Sequence, residues 1–202
     1  MAKWNSLADK ATVDKTMAAL TANGFVPYYA ETGAAARQKF FELLPAGAEV
    51  MNNSSTTLLQ LNIVDELLKS GQYNSVRNKL LAMDRKTHGR EMQKIGSAPE
   101  WSVGSVHAVT QDGHVLIASK SGSQLPGYAF GADHVIWIAG THKIVRDTDE
   151  GRQRIYEYVL PLENERALKA YGFGSSVNKL LVINQDQAPR LNLILVNEVL
   201  GF

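Results

Sequence analysis

Apolar residues recur at two different spacings along this chain, and the two spacings predict helices and strands in turn. Residues 6–23 carry apolar side chains at helical spacing, and Gly24 is typical of a helix C-terminus. Residues 25–30 form a short apolar run containing Pro27, which lacks a backbone N–H and therefore favours the edge of a sheet. Helical spacing returns in residues 34–44. The first 44 residues are thus predicted to form a helix, an edge strand and a second helix.

The rest of the chain repeats this alternation. The predicted strands are 48–51, 105–110, 114–119, 134–140, 179–184 and 191–197, and the predicted helices are 57–71, 74–95, 123–130 and 147–171, the last interrupted at Pro161. The sequence Gln-Asp-Gly at 111–113 separates two strands and favours an antiparallel hairpin. The pattern predicts an α/β fold with a mainly parallel sheet flanked by helices and one β-hairpin. We expect a single domain over residues 1–202, in which 1–44 is an N-terminal helical extension with the edge strand and 45–202 is the α/β core.

Composition narrows the classes of function. The net charge is +1, and acidic residues interrupt the basic residues of 74–95, so we predict a solvated helix face and no nucleic-acid or membrane partner. The chain contains no cysteine, which excludes thiolate nucleophiles, zinc-thiolate sites and an all-cysteine iron–sulfur cluster on this chain. No secretory leader pattern and no run of 18 apolar residues occur, so we expect a cytoplasmic protein.

The polar turn Asn-Asn-Ser-Ser-Thr-Thr at 52–57 is the segment most suggestive of chemistry. It lies between a predicted strand and a predicted helix, where free amides and hydroxyl groups suit a phosphate or a carboxylate. The alternative is that one of these hydroxyls only caps the helix. A helix N-terminus contributes about 0.3 to 1 kcal/mol, so a lysine is needed as well. The residues proposed to bind the anion are Asn53, Ser54, Ser55, Thr56 and Thr57, with Lys143 or Lys179 as the lysine, each of which is otherwise an ordinary surface lysine.

Two further features could contribute to the same pocket. The turn formed by Ser121, Gly122, Ser123 and Gln124 is a second hydroxyl-rich connection from a strand toward a helix, or simply a glycine turn with a cap. His107, predicted in the middle of a strand, could act as a general base or serve as a structural histidine. The other histidines lack the spacing of a helical metal motif, so we predict no metal and no cofactor.

An ordered series of segments, rather than any one motif, resembles a known family. The segments are G-S-V-H-A-V-T-Q-D-G-H-V-L-I-A-S (104–119), S-G-S-Q-L-P (121–126), G-T-H-K-I-V (140–145), L-P-L-E-N-E-R (160–166) and N-K-L-L-V-I-N followed by L-I-L-V-N-E-V-L-G-F (178–202). They resemble the lactate-utilisation domain (LUD) family, over about residues 45–202.

The resemblance implies a three-layer, Rossmann-like fold similar to glucosamine-phosphate deaminase, ribose-phosphate isomerase and the CoA transferases. In that superfamily a polar strand-to-helix turn receives a phosphate or acyl ligand. By resemblance, Ser54, Ser55 and Thr56 match the ligand turn, 121–124 matches a second turn, and Gly140 and Lys143 lie in the segment after the central strand. Family members in lactate-oxidation operons work beside iron–sulfur proteins, which implies such partners here.

Three functional hypotheses follow. The first is a lactate-utilisation type protein that binds a small anionic metabolite and supports lactate or other organic-acid metabolism. The second is a sugar-phosphate isomerase or CoA-transferase-like enzyme, in which Glu163 or His107 acts as the base beside Lys143. The third is a non-catalytic subunit of an iron–sulfur oxidoreductase complex.

Overall fold

The strands of this chain form two separate sheets. A computed structural model describes residues 2–202. Its strands are β1 (Val26–Ala30), β2 (Glu49–Asn52), β3 (Asn74–Ser75), β4 (Trp101–Gly104), β5 (Ala108–Thr110), β6 (Val115–Ser119), β7 (His134–Gly140), β8 (Ile144–Val145), β9 (Lys179–Ile183) and β10 (Leu191–Val196). One sheet has the order β1-β10-β7-β4-β2-β3 and its pairs are all parallel. The other has the order β8-β5-β6-β9 and is mixed.

Helices cover the parallel sheet, which confirms the α/β, three-layer class. The α-helices are α1 (Lys10–Ala22), α2 (Gly33–Leu43), α3 (Thr56–Gln60), α4 (Ile63–Lys69), α5 (Val76–Leu81), α6 (Arg85–Ser97), α7 (Thr148–Arg154) and α8 (Leu160–Tyr171). Short 3-10 turns occupy Ala2–Trp4 and Thr141–Lys143, and wide π-type turns occupy Gly127–Gly131 and Ile155–Val159. None of these helices combines the length and the apolar character that a membrane span requires.

Three strand predictions are confirmed, although the predicted hairpin belongs to a different sheet than expected. The edge position of β1 follows from Pro27, and β1 pairs only with β10. Residues 134–140 form β7, which is buried along almost its whole length. The Asp-Gly hairpin joins β5 and β6 in antiparallel pairing, but it belongs to the second sheet and not to the parallel one. His107 precedes β5 and is therefore outside the strand in which the sequence placed it.

The long helix predicted over 57–71 is wrong in its continuity. Asn62 adopts a left-handed conformation (φ 53°) and separates α3 from α4. Residues 74–95 likewise contain two helices, because Asp84 accepts a hydrogen bond from the Lys86 amide and starts α6. Apolar side chains continue across both breaks, so the hydrophobic pattern alone predicts one continuous helix in each region.

Pro161 does not interrupt the last helix, contrary to the expectation from the sequence. Helical backbone runs through α7, the π-type turn at Ile155–Val159 and α8, with Pro161 in the first turn of α8. Proline removes one backbone donor, and a helix tolerates that loss where the turn before it is widened. The helix predicted over 123–130 is reduced to the π-type turn Gly127–Gly131.

Strand β7 lies between two of the three hydrophobic clusters of the core. Ile136 and Ile138 pack with the side chains of α2 to α4, whereas Val135, Trp137 and Ala139 pack with the side chains of α1 and the hairpin. Side chains alternate between the two faces of a strand, so a strand buried on both faces needs an unbroken apolar run. The sequence His-Val-Ile-Trp-Ile-Ala-Gly of β7 meets that requirement.

The hairpin loop is clamped by the end of α1. Asn23, the C-cap residue of α1, donates its side-chain amide to the carbonyls of Asp112 (2.9 Å) and Gly113 (3.1 Å). Gly113 has a left-handed φ of 83°, and a Cβ there would lie 2.6 Å from the Ala19 carbonyl carbon. The loop therefore needs glycine for both its backbone angle and its contact with α1.

We expect Gly113→Ala to destabilise the protein more than Gly172→Ala. Gly172 also has a positive φ (75°), but nothing lies within 4 Å of the space a methyl group would fill. Gly172→Ala should therefore cost about 1 kcal/mol of unfolding free energy, from backbone strain alone. Gly113→Ala should cost about 1 to 3 kcal/mol more, because the methyl group also overlaps backbone atoms of α1. Urea denaturation measures both, and equal losses would show that the contact with α1 contributes nothing.

Candidate functional site

Lys143 lies at the carboxyl end of β7, beside the polar turn that follows β2. It closes the 3-10 turn Thr141–Lys143, and its side chain is only 1% exposed. Its Nζ donates to Ser105 Oγ (3.1 Å), Thr57 Oγ1 (3.3 Å) and the Val106 carbonyl (3.3 Å). The structure thus brings together the predicted lysine and one residue of the predicted ligand turn.

The other residues of the predicted turn are used in several ways. Asn53 donates its backbone amide to the Val103 carbonyl (2.9 Å) and its side-chain amide to Ser102 Oγ (3.0 Å), so it ties the turn to β4. Ser55 caps α3 by accepting from the Leu58 amide, as the alternative interpretation of this turn expected. Ser54 is exposed and accepts from Arg77. Thr56 and Thr57 begin α3, and no protein acceptor within residues 2–202 pairs with their amides.

A second cation, Arg154, lies near Lys143. Arg154 is 0% exposed, and its Nη1 donates to the His107 carbonyl (2.6 Å), the peptide next to the one that Lys143 contacts. Burial, followed by the positive charge of Arg154, holds the pKa of Lys143 well below its usual range near 10.5. Burial also lowers the pKa of Arg154 to about 10, which leaves it charged at neutral pH. Among residues 2–202, no carboxylate forms an ion pair with either side chain.

Two histidines share this electropositive region. His142 is 3% exposed, and neither of its ring nitrogens has a hydrogen bond of normal geometry in the described part of the chain. The backbone of Glu198 lies close to the ring and raises the pKa of His142 slightly, against the larger causes that lower it. Burial, then Lys143 and Arg154, lowers the pKa of His142 to about 3. The same causes lower the pKa of His107 to about 3. His107 Nδ1 accepts from the Ala118 amide (3.1 Å), so the neutral ring carries its proton on Nε2.

The segment after β10 covers Lys143. We call residues 197–202 the covering segment. Thr57 Oγ1 donates to the Leu200 carbonyl (3.2 Å), and a methyl group at Gly201 would overlap Thr57 Oγ1 and lie 3.3 Å from Lys143 Nζ. A methyl group at Gly140 would overlap the Glu198 carbonyl and the His142 ring. Glycines at these two positions thus let the covering segment approach the end of β7.

Three of the predicted site features make their observed contacts with residues other than Lys143. In the turn 121–124, Ser121 and Ser123 bond to each other, and Gln124 bonds to Ser119. Lys179 is exposed, and its aliphatic chain packs against Gly122. Glu163 forms a two-bond ion pair with Arg166, at 2.7 Å for each bond. None of these contacts reaches Lys143.

Sequence reasoning missed Arg154 and His142. Arg154 follows a charged run and looks like a solvated helix residue, but it shares a buried stripe with Gly151, Ile155 and Tyr158. An arginine in the apolar stripe of a helix is the signal that could have found it. His142 is adjacent to Lys143 and carried no spacing signal. Within residues 2–202, no group of three or more His, Asp or Glu side chains could hold a metal ion.

Comparisons with known proteins agree with this architecture. The model of the LUD domain matches residues 13–185. A crystal structure of a DUF162 family protein from Deinococcus radiodurans is similar, with a TM-score of 0.58, 11% identity, and coverage of 95% of this chain and 99% of that chain. Ribose 5-phosphate isomerase from Plasmodium falciparum gives a TM-score of 0.34 at 16% identity, over 69% of this chain and 64% of that one, which is too low to support an argument. No curated protein matches the sequence.

We expect His142 to make stability fall in mild acid. Its pKa in the folded protein, about 3, lies below the ordinary value of 6.5, so between these pH values the unfolded chain binds more protons. The free energy of unfolding should therefore rise with pH in this window, and His142 should account for a loss of about 1 to 2 kcal/mol between pH 6.5 and pH 5. The His142→Gln variant should show a smaller loss when urea midpoints are compared at these two pH values.

The matched control for this measurement is His88→Gln, because His88 is exposed on α6. That variant should keep the pH dependence of the wild type. If His142→Gln keeps it as well, the buried imidazole is not the group that titrates.

Proposed function

The chain belongs to the LUD domain family, and we propose that it binds a small anionic metabolite at Lys143 and supports lactate or other organic-acid metabolism. The observation that carries the proposal is the pair of buried basic side chains, Lys143 and Arg154, neither of which has a carboxylate partner among residues 2–202. An isolated buried charge costs several kcal/mol unless it is paired. A bound anion would supply the missing countercharge.

The groups around Lys143 suit an oxyanion. Thr57 Oγ1 and Ser105 Oγ both contact Nζ, and the amides of Thr56 and Thr57 lie in the first turn of α3. Charge-assisted hydrogen bonds contribute about 1.5 to 3 kcal/mol each, so two or three of them exceed what the helix terminus gives. The lysine, and not the short helix, therefore supplies most of the expected affinity.

An isomerase or CoA-transferase-like activity receives less support. Such chemistry needs a base beside the anion clamp. Glu163 is held by Arg166, and the lowered pKa of His107 makes it a weak base near neutral pH. We propose instead that any redox step depends on an iron–sulfur partner protein, because this chain has no cysteine to ligate a cluster. The location of the protein in the cytoplasm stays a prediction.

Replacing Lys143 by methionine should abolish anion binding while leaving the fold intact. Methionine has a similar length and an apolar side chain, so it fills the same buried space and removes the amino group, at a cost of about 1 to 3 kcal/mol for the lost hydrogen bonds. We expect phosphate or pyruvate to raise the melting temperature of the wild type, as a ligand at a hundred times its Kd adds about 2.7 kcal/mol. The Lys143→Met variant should show no such shift.

Lys179→Met is the matched control, because Lys179 is the other lysine that the sequence suggested and it is exposed. Its response to phosphate and pyruvate should equal that of the wild type. An undiminished response in Lys143→Met, or a loss confined to Lys179→Met, would move the site away from β7.

A further inference from the structure

Strand β9 ends the mixed sheet without the protection that the other sheet edges have. Within residues 2–202, the two sheets end in the strands β1, β3, β8 and β9. Pro27 lies in β1, and β3 and β8 are two residues long, so each of them offers little for another strand to pair with. The sequence of β9 is Lys-Leu-Leu-Val-Ile, with its one charge at the first position and no proline. An edge of this kind is open to pairing with a further strand.

The hydrogen bonds of β6 show which of its residues face β9. The Ala118 amide donates to His107 Nδ1 (3.1 Å), and the Leu116 carbonyl accepts from the His107 amide (3.0 Å). Ala118 and Leu116 therefore direct these backbone groups toward β5. Backbone groups of successive residues in an antiparallel strand point in opposite directions. Ile117, which lies between the two, therefore faces β9.

Leu180 and Val182 carry the unpaired backbone groups of β9. Ile117 pairs with Leu181, so the N–H and C=O groups of Leu181 point toward β6. Those of Leu180 and Val182 point the other way, and no backbone or side-chain group of residues 2–202 forms a hydrogen bond with them. Leu180, Leu181 and Val182 are also half-buried, whereas β6 is buried along its whole length. The outer side of β9 is thus an open edge.

This edge is complementary to a second copy of itself. In an antiparallel pair centred on Leu181, Leu180 of one copy lies opposite the partner's Val182, and both use the N–H and C=O groups that point outward. Leu181 then meets its own copy at the two-fold axis. Cross-strand pairs of apolar side chains stabilise antiparallel sheets. Every residue of β9 has an opposite residue in this register.

The charges on β9 do not oppose the pairing. Lys179 is the charged residue of this strand, and the register centred on Leu181 places it opposite the partner's Ile183. The two copies of Lys179 are about 14 Å apart along the strands, at about 3.4 Å per residue. This separation exceeds the screening length of about 8 Å at physiological salt. Repulsion between the two lysines is therefore weak.

Exposed aromatic side chains extend the surface beside β9. Tyr171 and Phe173 are each more than half exposed and stack on each other, with 5.8 Å between the ring centres. Lys120 Nζ lies 4.5 Å from the centre of the Phe173 ring, and Lys120 directly follows the residue of β6 that pairs with Lys179. The aromatic pair is therefore near the first residue of β9. Aromatic residues are enriched in protein–protein interfaces, so a partner at β9 has an apolar surface to cover as well.

Pairing at β9 stops after two copies. A two-fold axis brings together the same strand of both chains, so the open edge of each is used up. The edges that remain, β1, β3 and β8, are the protected ones. The expected product is a closed dimer and not a filament.

We infer that β9 pairs with the β9 of a second copy of this chain, so that the protein is a two-fold dimer in which the mixed sheets of both copies form one continuous sheet. This inference does not depend on the anion proposed at Lys143, because the pairing uses only the far edge of the mixed sheet.

Sedimentation equilibrium over a concentration series tests the inference. We expect the mass of the wild type to rise with concentration from 22.2 kDa, the mass of one chain, toward twice that value. Val182→Pro removes an outward N–H that β6 does not use, and proline is tolerated at such positions of an edge strand. The dimer contains this change twice, so its dissociation constant should rise at least about tenfold through the lost hydrogen bonds.

Leu181→Lys tests the register with a matched control. It places two positive charges opposite each other at the two-fold axis, so the dimer should be weakened. Leu81→Lys adds the same charge at an exposed leucine of α5 and should leave the dissociation constant unchanged.

Hydrogen exchange of the wild type keeps the test decisive if either β9 variant does not fold. The amides of Leu180 and Val182 should exchange more slowly as the concentration rises, because they become hydrogen-bonded in the dimer. The Leu181 amide is bonded to β6 in both states, so its exchange should not depend on concentration.

Two results would overturn the inference. A wild type that keeps the mass of one chain at millimolar concentration would do so, and would leave the edge of β9 to a strand of a different protein. A dimer whose dissociation constant is unchanged in Val182→Pro and Leu181→Lys, or in which the Leu180 and Val182 amides gain no protection, would place the interface elsewhere. Neither result bears on anion binding at Lys143.

Discussion

The structure depends on the burial of β7 from both sides. This strand pairs with β4 and β10, and its alternate side chains belong to two different hydrophobic clusters. A one-residue register slip would exchange the side chains of the two clusters, because side chains on a strand alternate with a period of two. The same constraint fixes where the strand ends, and the chain leaves it through Thr141, His142 and Lys143. The position of the candidate site is thus a direct result of how the core is divided.

The candidate site is unusual in its electrostatics. Buried lysine and arginine side chains normally lie beside a carboxylate, yet Lys143 and Arg154 are held by backbone carbonyls and hydroxyl groups. Carbonyl oxygens satisfy the donors of a cation but bring no net negative charge. His107 and His142 stay neutral at neutral pH, because burial, Lys143 and Arg154 lower the pKa of each to about 3.

Sequence patterns predicted the features that depend on local rules. Pro27 placed β1 at an edge, the Asp-Gly pair placed the hairpin, and the continuous apolar run located β7. The patterns failed where tertiary contacts decide. Asn53 looked like a ligand-binding residue, but β4 uses its donors, and the pairing of β2 with β4 cannot be read from either segment alone. Lys143 was identifiable beside a strand, whereas Arg154 was hidden in a charged run because only the folded helix buries it.

The covering segment has a kinetic consequence. Lys143 is nearly inaccessible while Leu200 and Gly201 lie against Thr57, so a guest can reach Nζ only in conformations where these contacts are open. Association then has an upper limit set by the frequency of opening, and the observed rate stops rising once the guest is concentrated enough. For the proposed anion, the same contacts would close behind the bound molecule and slow its release. In the proposed function, the affinity would therefore depend on Lys143 and Arg154, and the rates of binding and release would depend on the covering segment.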